Sequence, residues 1–227
     1  MIFRQITKRF LSIIMTMQTE KTYNLTFTAG TLLLNETYAV AETYLESGCD
    51  WGKTQTITFE HNLMSKDKVS TNKRFFSLVK QRISALNEEE LDLLVNSTVL
   101  IRRQMLLLAI CKAHALIFDF ISVNVRDSFF AMQERVTHAN FNEFFNEKKY
   151  VHPELEAITD LTVAKIRQVV FRILEQAELI ESIDTGLIQR PYLSEKVERV
   201  IVKDNPKWLA AFLYSNNEIN NACSLYE

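Results

Sequence analysis

Turn-forming residues are scarce in this chain, and their scarcity limits the folds that it can adopt. The 227 residues include only 4 glycines and 3 prolines, whereas hydrophobic residues make up 47% of the sequence. Few turn formers, together with many Leu, Glu, Lys and Ala residues, are typical of long helices joined by short connections. The composition therefore predicts a mainly α-helical protein that is large enough to bury a core of its own.

The N-terminal half is predicted to form five helices, over residues 31–47, 51–61, 70–86, 88–95 and 101–123. Gly48 suits the C-terminal end of the first helix. Asp50 and Ser70 suit the N-caps of the second and third. The sequence from Asn87 to Glu90 resembles a capping box for the fourth. The second and third helices can themselves form a helix-turn-helix.

The C-terminal half has the order of elements that a winged helix-turn-helix shows. Short helices are predicted over 128–136, 140–149 and 153–158, and a longer helix over 160–177 with Asp160 as its N-cap. Residues 179–183 then alternate as a strand, Asp184-Thr185-Gly186 is a turn sequence, and residues 187–190 return before Pro191. The predicted fold class is thus mainly α, with a helical N-terminal half followed by a winged helix-turn-helix-like C-terminal half that carries a short β-hairpin.

The outward face of the 160–177 helix has the side chains that recognise DNA. Apolar residues recur there at helical spacing on one side, which leaves Thr162, Lys165, Gln168 and Arg172 on the other. Such side chains bond phosphates and base edges in the major groove. We expect Lys165, Gln168 and Arg172 to face the groove, and Thr162 and the wing residue Arg190 to contact phosphates. The alternative is an ordinary amphipathic helix packed beside a hairpin.

A second basic run precedes the acidic turn that begins at Glu88. Between Ser65 and Leu86 the single acid is Asp67, against which six cations stand. Of these, Lys73, Arg74 and Lys80 are candidate auxiliary DNA contacts. The run as a whole comprises Lys66, Lys68, Lys73, Arg74, Lys80 and Arg82. Two interpretations stay open here. The run is either a second phosphate-contacting helix or a solvated face paired with the acids at 88–92.

Catalytic and metal-binding motifs are not indicated. No glycine-rich phosphate loop or GxSxG motif occurs, and the four histidines lack metal-ligand spacing. The three cysteines are far apart, so neither a zinc site nor a disulfide framework is indicated, which suits a reducing cytoplasm. The net charge is −2, so any nucleic-acid binding must come from local patches. We expect no cofactor, no metal and no enzymatic activity.

Four segments are expected along the chain: an N-terminal extension (1–22), a helical domain (23–125), a winged-helix-like domain (126–215) and a polar tail (216–227) that frays. The extension resembles a weak signal peptide without a cleavage site, and it can also be a mis-annotated start. The apolar run 105–123 has the length of a membrane span. Because Lys112 and Asp119 interrupt it, we expect a buried helix and no membrane insertion.

Three ordered blocks resemble the BrxA family. They are Thr26-Phe27-Thr28-Ala29-Gly30-Thr31-Leu32-Leu33-Leu34-Asn35-Glu36-Thr37 with Ala39-Val40-Ala41, then Phe144-Phe145-Asn146-Glu147-Lys148 with His152-Pro153-Glu154-Leu155, and lastly Lys165-Ile166-Arg167-Gln168-Val169-Val170-Phe171-Arg172. The family usually has a second glycine where Ala29 stands. The resemblance covers roughly residues 23–212.

BrxA proteins are small components of BREX bacteriophage-exclusion systems, which methylate host DNA and block phage replication. The resemblance implies a cytoplasmic, non-catalytic, mainly helical protein that binds DNA and works beside a methyltransferase and large ATPases. With the outward basic face, it leads us to expect binding of double-stranded DNA with little sequence preference. The alternatives are a protein–protein adaptor of the defence complex and an RNA-binding protein. The sequence does not indicate the oligomeric state.

Overall fold

The computed structural model describes residues 22–65 and 68–226, and within them the chain is mainly helical, which confirms that part of the prediction. Three 3₁₀ helices, Thr26–Ala29, Pro153–Leu155 and Pro206–Phe212, and a π-helical stretch, Phe120–Val125, accompany the α-helices. The eleven α-helices of the described residues are α1 (Leu34–Glu46), α2 (Trp51–Glu60), α3 (Val69–Ile83), α4 (Glu88–Asn96), α5 (Val99–Ala113), α6 (Ala115–Asp119), α7 (Arg126–Phe130), α8 (His138–Lys149), α9 (Asp160–Gln176), α10 (Glu195–Asp204) and α11 (Asn216–Tyr226). The expectations for residues 1–21 lie outside the described residues.

Local capping decides where the N-terminal helices begin. The Asp50 side chain accepts hydrogen bonds from the backbone N–H groups of Gly52 (2.8 Å) and Lys53 (3.2 Å), which confirms it as the N-cap of α2. The predicted capping box at the start of α4 is also present. The prediction for Ser70 is wrong, because α3 already begins at Val69, one residue earlier.

The single apolar helix predicted over 101–123 is also wrong. α5 ends at Ala113, and His114 (φ −133°, ψ 89°) leaves the helical region before α6 begins. The segments Val99–Ala113 and Ala115–Phe130 are bent from each other by 111°, which lets both pack into the core. Among the described residues, no one helix is both long and apolar enough to cross a membrane. That test is met only by these two bent segments taken together.

Lys112 of α5 forms a buried ion cluster with one acid of α4 and one acid of α10. Its Nζ is 2.6 Å from Glu90 Oε2 and 2.8 Å from Asp204 Oδ2. Glu90 is fully buried, and Asp204 also accepts a hydrogen bond from Trp208 Nε1 at 3.1 Å. A charge that interrupts an apolar run in sequence is thus balanced inside the fold, and it joins the N-terminal helices to the C-terminal half.

The predicted β-hairpin, and with it the winged part of the predicted fold class, is not supported, because the described residues contain no β-strand or sheet. Two isolated bridges occur instead, between Ile180 and Ile188 and between Arg135 and Leu187. The physical reason is that the returning segment divides its hydrogen bonds. Gln189 N–H donates to Leu179, whereas Ile188 N–H donates to the carbonyl of Glu134 on the other side. Neither neighbour receives a continuous ladder.

The N-terminal segment, residues 23–33, packs against the C-terminal half. The Tyr23 N–H donates to Glu154 Oε1 at 2.7 Å, and its hydroxyl donates to Asp119 Oδ2 at 2.5 Å. Phe27 is fully buried within a single apolar cluster that contains residues of both halves. The expected boundary between 125 and 126 falls inside the continuous helical run from Ala115 to Phe130. The division into two domains stays a prediction.

The C-terminal end is more ordered than the polar sequence suggested. Residues 206–212 form a 3₁₀ helix that is buried from Trp208 to Phe212. The expected frayed tail is the helix α11, which packs on α10. Ser215 and Glu218 begin this helix with reciprocal bonds. Ser215 N–H donates to Glu218 Oε2 (2.7 Å), and Glu218 N–H donates to Ser215 Oγ (3.2 Å).

Candidate nucleic-acid interface

Helix α9 buries the face that the sequence predicted and leaves the opposite face in solvent. Ile166, Val170 and Ile173 are fully buried, which anchors the helix in the core. The start of the helix needs a correction. Its N-cap is Thr159, whose hydroxyl accepts from the N–H of Thr162 at 3.3 Å, so Asp160 is the first helical residue and not the cap.

The four predicted contacts on α9, Thr162, Lys165, Gln168 and Arg172, are all exposed. Lys165 Nζ donates to Gln168 Oε1 at 3.3 Å, so these two side chains support each other on the surface. Arg172 is less free, because one of its guanidinium nitrogens lies 2.7 Å from Glu175 Oε2. An exposed ion pair of this kind is worth only about 0–1 kcal/mol, so a phosphate can compete for Arg172.

Arg190, the predicted wing contact, is engaged by two other side chains of the protein. Its guanidinium lies 2.8 Å from Glu218 Oε1 and stacks over the ring of Tyr214 at 4.6 Å from the centroid. Burial acts to raise the pKa of Glu218, but the hydrogen bonds from Arg190 and Ser215 outweigh it and lower that pKa. Since Glu218 stays ionised, Arg190 meets a phosphate only after giving up this carboxylate.

Helix α3 presents a second basic face, which the sequence treated as auxiliary. Lys73, Arg74 and Lys80 are exposed on it, together with Ser77. Lys80 Nζ lies 5.1 Å above the ring of Trp51 on α2. Within residues 22–65 and 68–226, neither Lys73 nor Arg74 is paired with a carboxylate.

The acids that follow α3 in sequence are directed elsewhere. Glu89 forms an ion pair with Lys203 of α10, and Glu90 with the buried Lys112. Two acids of the turn therefore pair with cations outside α3, and both interpretations of the α3 run stay predictions. One member of that run does leave the surface, because Arg82 is completely buried. It lies nine residues after Lys73, which places it on the opposite side of the helix.

Sequence reasoning missed a basic row on α10. Lys196, Arg199 and Lys203 line one wall of an open cleft of about 520 Å³, and acids of α4 line the other wall. Their spacing of three and four residues was the signal that could have found them. Because acids face this row, its local charge is nearly balanced, and it is a weaker candidate for nucleic acid than α3 or α9.

In the part of the chain that the structure describes, no group of three or more His, Cys, Asp or Glu residues is arranged so that it could hold a metal ion. Cys49 is exposed, Cys111 is buried and Cys223 is half-buried, and all three are free thiols. His114 is enclosed in the core, where burial lowers its pKa to about 3, so it is neutral at physiological pH.

The fold and these surfaces define an all-helical protein with two exposed, acid-poor helix faces. A family model described as BrxA matches residues 21–205. The chain belongs to the BrxA family, as the sequence blocks predicted.

Curated relatives agree with this assignment across most of the chain. A BREX protein BrxA from Escherichia coli O9:H4 (strain HS) is 24% identical over 172 residues, which cover 76% of this chain and 80% of the relative. Another from Paramagnetospirillum magneticum is 22% identical over 84% of this chain and 95% of its own length. A third, from Bacillus cereus, is 25% identical over 77% and 88% of the two chains.

A solved structure shares the fold. The crystal structure of an uncharacterized protein from Magnetospirillum magneticum superposes with a TM-score of 0.75 and covers 85% of this chain and 98% of its own. At 20% identity, this likeness supports the fold alone.

Proposed function

We propose that this chain is the non-catalytic, DNA-binding component of a BREX system, and that it binds duplex DNA through α3 and α9. Its relatives already indicate a BREX phage-defence component. Duplex binding, the absence of catalysis and work beside a methyltransferase and ATPases in the cytoplasm are the proposed additions. The free cysteines are compatible with that compartment.

The observation that carries the proposal is that two cations of α3 are exposed and are not paired with a described acid. Lys73 and Arg74 are exposed, and of the acids that follow α3, Glu90 pairs with Lys112 and Glu89 with Lys203. In a chain with a net charge of −2, cations left without acids form local positive patches. Such patches bind phosphates with little dependence on base sequence.

Helix α9 adds the side chains that reach base edges. Lys165 and Gln168 stand together on its exposed face, and the amide and ammonium groups match the acceptors and donors of the major groove. Leu161, at the start of the same helix, is 86% exposed, and an apolar side chain there suits contact with a thymine methyl group. We therefore assign phosphate contact to α3 and groove contact to α9, whose cations Lys165 and Arg172 also reach the phosphates that border the groove.

Fluorescence anisotropy with a labelled duplex, repeated over a range of salt concentrations, tests the proposal. Lys165→Ala with Arg172→Ala should weaken binding and reduce the slope of log K against log salt by about two, one for each lost phosphate contact. Lys73→Ala with Arg74→Ala should do the same. The charge-matched control is Lys196→Ala with Arg199→Ala on α10. It should change the slope less than either of the other two double variants.

The adaptor alternative has one observation in its favour. Val123, Phe130 and Met132 are exposed apolar side chains around α7, with Met132 88% exposed. Exposed apolar groups in one region are typical of protein-binding surfaces. An adaptor would show no binding to duplex DNA, single-stranded DNA or RNA at low salt. An RNA-binding protein would bind labelled RNA more tightly than duplex DNA.

A further inference from the structure

A second cleft, which we call the tyrosine cleft, lies at the start of α10. Its volume is about 360 Å³, and its lining includes Tyr192, which is 80% exposed, the half-buried Tyr214 and two acids of α10, Glu195 and Glu198. Concave surfaces of this size that combine aromatic walls with a few polar groups are typical binding sites. None of these residues belongs to α3 or α9, so the cleft is not part of the proposed DNA contacts.

Arg190, which also lines the tyrosine cleft, shows which chemical group this surface can hold. Its guanidinium stacks over the ring of Tyr214, 4.6 Å from the centroid, and lies 2.8 Å from Glu218 Oε1. The Tyr214 hydroxyl donates to Glu198 Oε2 at 2.7 Å, which holds the ring in place. An aromatic face beside a carboxylate is the environment that binds a guanidinium group.

Acids outnumber cations at the tyrosine cleft. Glu195 and Glu198 line it and Glu218 borders it, whereas the described cation in its lining is Arg190. Among the described residues, neither Glu195 nor Glu198 has an ion-pair partner, and no cation lies over the ring of Tyr192. The basic row of α10 lines the other cleft, against α4. An aromatic face and two carboxylates are therefore available to a further cation.

The backbone that carries Tyr192 is held before any partner arrives. Gln104 Nε2 donates to the carbonyl oxygen of Tyr192 at 2.7 Å, and the next residue, Leu193, is buried in the core. Pro191 fixes its own φ angle on the other side. A site that is ordered in advance loses little conformational entropy when it binds.

We infer that the tyrosine cleft binds an arginine side chain from an extended segment of a partner protein, with Tyr192 and Glu195 as its main contacts. Arginine is favoured over lysine because its planar guanidinium stacks on a ring and donates in a fork to a carboxylate. An extended, proline-containing segment suits an aromatic-lined groove, since it is already ordered. The acids of the cleft repel phosphates, so nucleic acid is not the expected occupant.

The first experiment tests the chemistry of the occupant by fluorescence anisotropy. The probes are labelled peptides of alternating arginine and proline, lysine and proline, or glutamate and proline. The arginine peptide should bind at least about threefold more tightly than the lysine peptide, and the glutamate peptide should not bind. Tyr192→Ala should weaken binding of the arginine peptide about fivefold, which corresponds to one exposed cation–π contact. Tyr150→Ala is the matched control, because Tyr150 is 88% exposed and lies outside the cleft.

The second experiment tests the charges of the cleft with the arginine peptide. Glu195→Gln should weaken binding about threefold, whereas Glu143→Gln, an exposed acid of α8, should have less than about a twofold effect. Arg190→Ala should strengthen binding about threefold, because it frees the Tyr214 ring and Glu218 for the peptide. Arg135→Ala, which also removes one exposed cation, should give a smaller gain.

Three results would overturn the inference. Equal affinity for the arginine and lysine peptides would show that only net charge attracts them. Unchanged affinity in Tyr192→Ala would show that the peptide binds elsewhere. A weaker affinity for duplex DNA in Arg190→Ala, without a gain for the arginine peptide, would assign Arg190 to phosphate contact instead. Because the peptide measurements contain no DNA, they decide the inference whether or not the proposed DNA binding holds.

Discussion

Replacing Lys112 with methionine tests how the buried ion cluster stabilises the fold. The substitution removes the ammonium that Glu90 and Asp204 share at 2.6 and 2.8 Å, and it preserves most of the side-chain volume. The carboxylate of Glu90, which is fully buried, then has no counter-ion. Breaking a buried ion pair by removing one partner costs about 3–5 kcal/mol. At about 3 °C per kcal/mol for a chain of this size, the melting temperature should fall by about 12 °C.

The penalty of Lys112→Met should depend on pH. Burial raises the pKa of Glu90, and the hydrogen bonds from Lys112 and Asn87 oppose that rise, so removing Lys112 raises this pKa further. A carboxyl whose folded pKa lies above its unfolded value of about 4.5 loses stability as the pH rises through that interval. Asp204 shifts in the opposite direction: burial raises its pKa, but Lys112 outweighs burial because Asp204 is partly exposed.

Urea denaturation of parent and variant at pH 5 and pH 7.5 measures both effects. The loss in unfolding free energy should be larger at pH 7.5. The double variant Lys112→Met with Glu90→Gln should recover at least half of it, because a neutral amide needs no counter-ion and can still accept from the N–H of Asn87. A loss below about 1 kcal/mol at pH 7.5, or the same loss at both pH values, would refute the reasoning.

Three further predictions concern other parts of the chain. Gly186→Ala should cost about 2–3 kcal/mol in urea denaturation, because Gly186 has φ +61° and an added Cβ would lie 2.2 Å from the carbonyl oxygen of Val136. Glu175→Gln removes the charge that competes for Arg172, so DNA affinity at low salt should rise severalfold in anisotropy titrations. The imidazole of His114, with its pKa lowered by burial to about 3, should show no NMR titration between pH 5 and 8. Its effect on stability should appear only as the pH falls below about 6.5.

Each of these has a control or a contradicting outcome. Gly48→Ala is matched to Gly186→Ala, since Gly48 has φ +72° but no atom within 4 Å of an added Cβ, and it should cost only about 1 kcal/mol. Equal losses in both variants would contradict the steric explanation. Unchanged DNA affinity in Glu175→Gln would show that Arg172 is not a contact. A resonance of His114 that titrates near pH 6 would show that water reaches its cavity.

What was predicted correctly from the sequence is local in origin. The N-cap at Asp50, the capping box at Asn87 and the buried stripe of α9 depend on residues within two helical turns of one another. One error was equally local and avoidable, because Ser215 with Glu218 is a capping box at the start of a segment that was taken for a frayed tail.

The remaining errors depend on contacts that are distant in sequence. The hairpin failed because Ile188 donates to Glu134, 54 residues earlier, and nothing between 179 and 190 indicates that competitor. The partner of Arg190 was likewise not predictable, because Glu218 lies 28 residues later, and the phosphate contact of Arg190 stays a prediction. The bend at His114 places two apolar segments in one core, whereas periodicity alone favours a single helix through it. For the candidate site, helical periodicity predicted which faces are exposed, but it did not indicate which acids would pair with which cations.

The contact between Tyr23 and Glu154 constrains the order in which the chain can mature on the ribosome. Glu154, the partner of Tyr23, is synthesised 131 residues later. Phe27 is buried in an apolar core to which residues of both halves contribute. Until α8 and the 3₁₀ helix after it leave the exit tunnel, the first described residues have no place to dock. Folding of the nascent chain is therefore expected to be completed late, and a fragment that stops at residue 125 should need a chaperone to stay in solution.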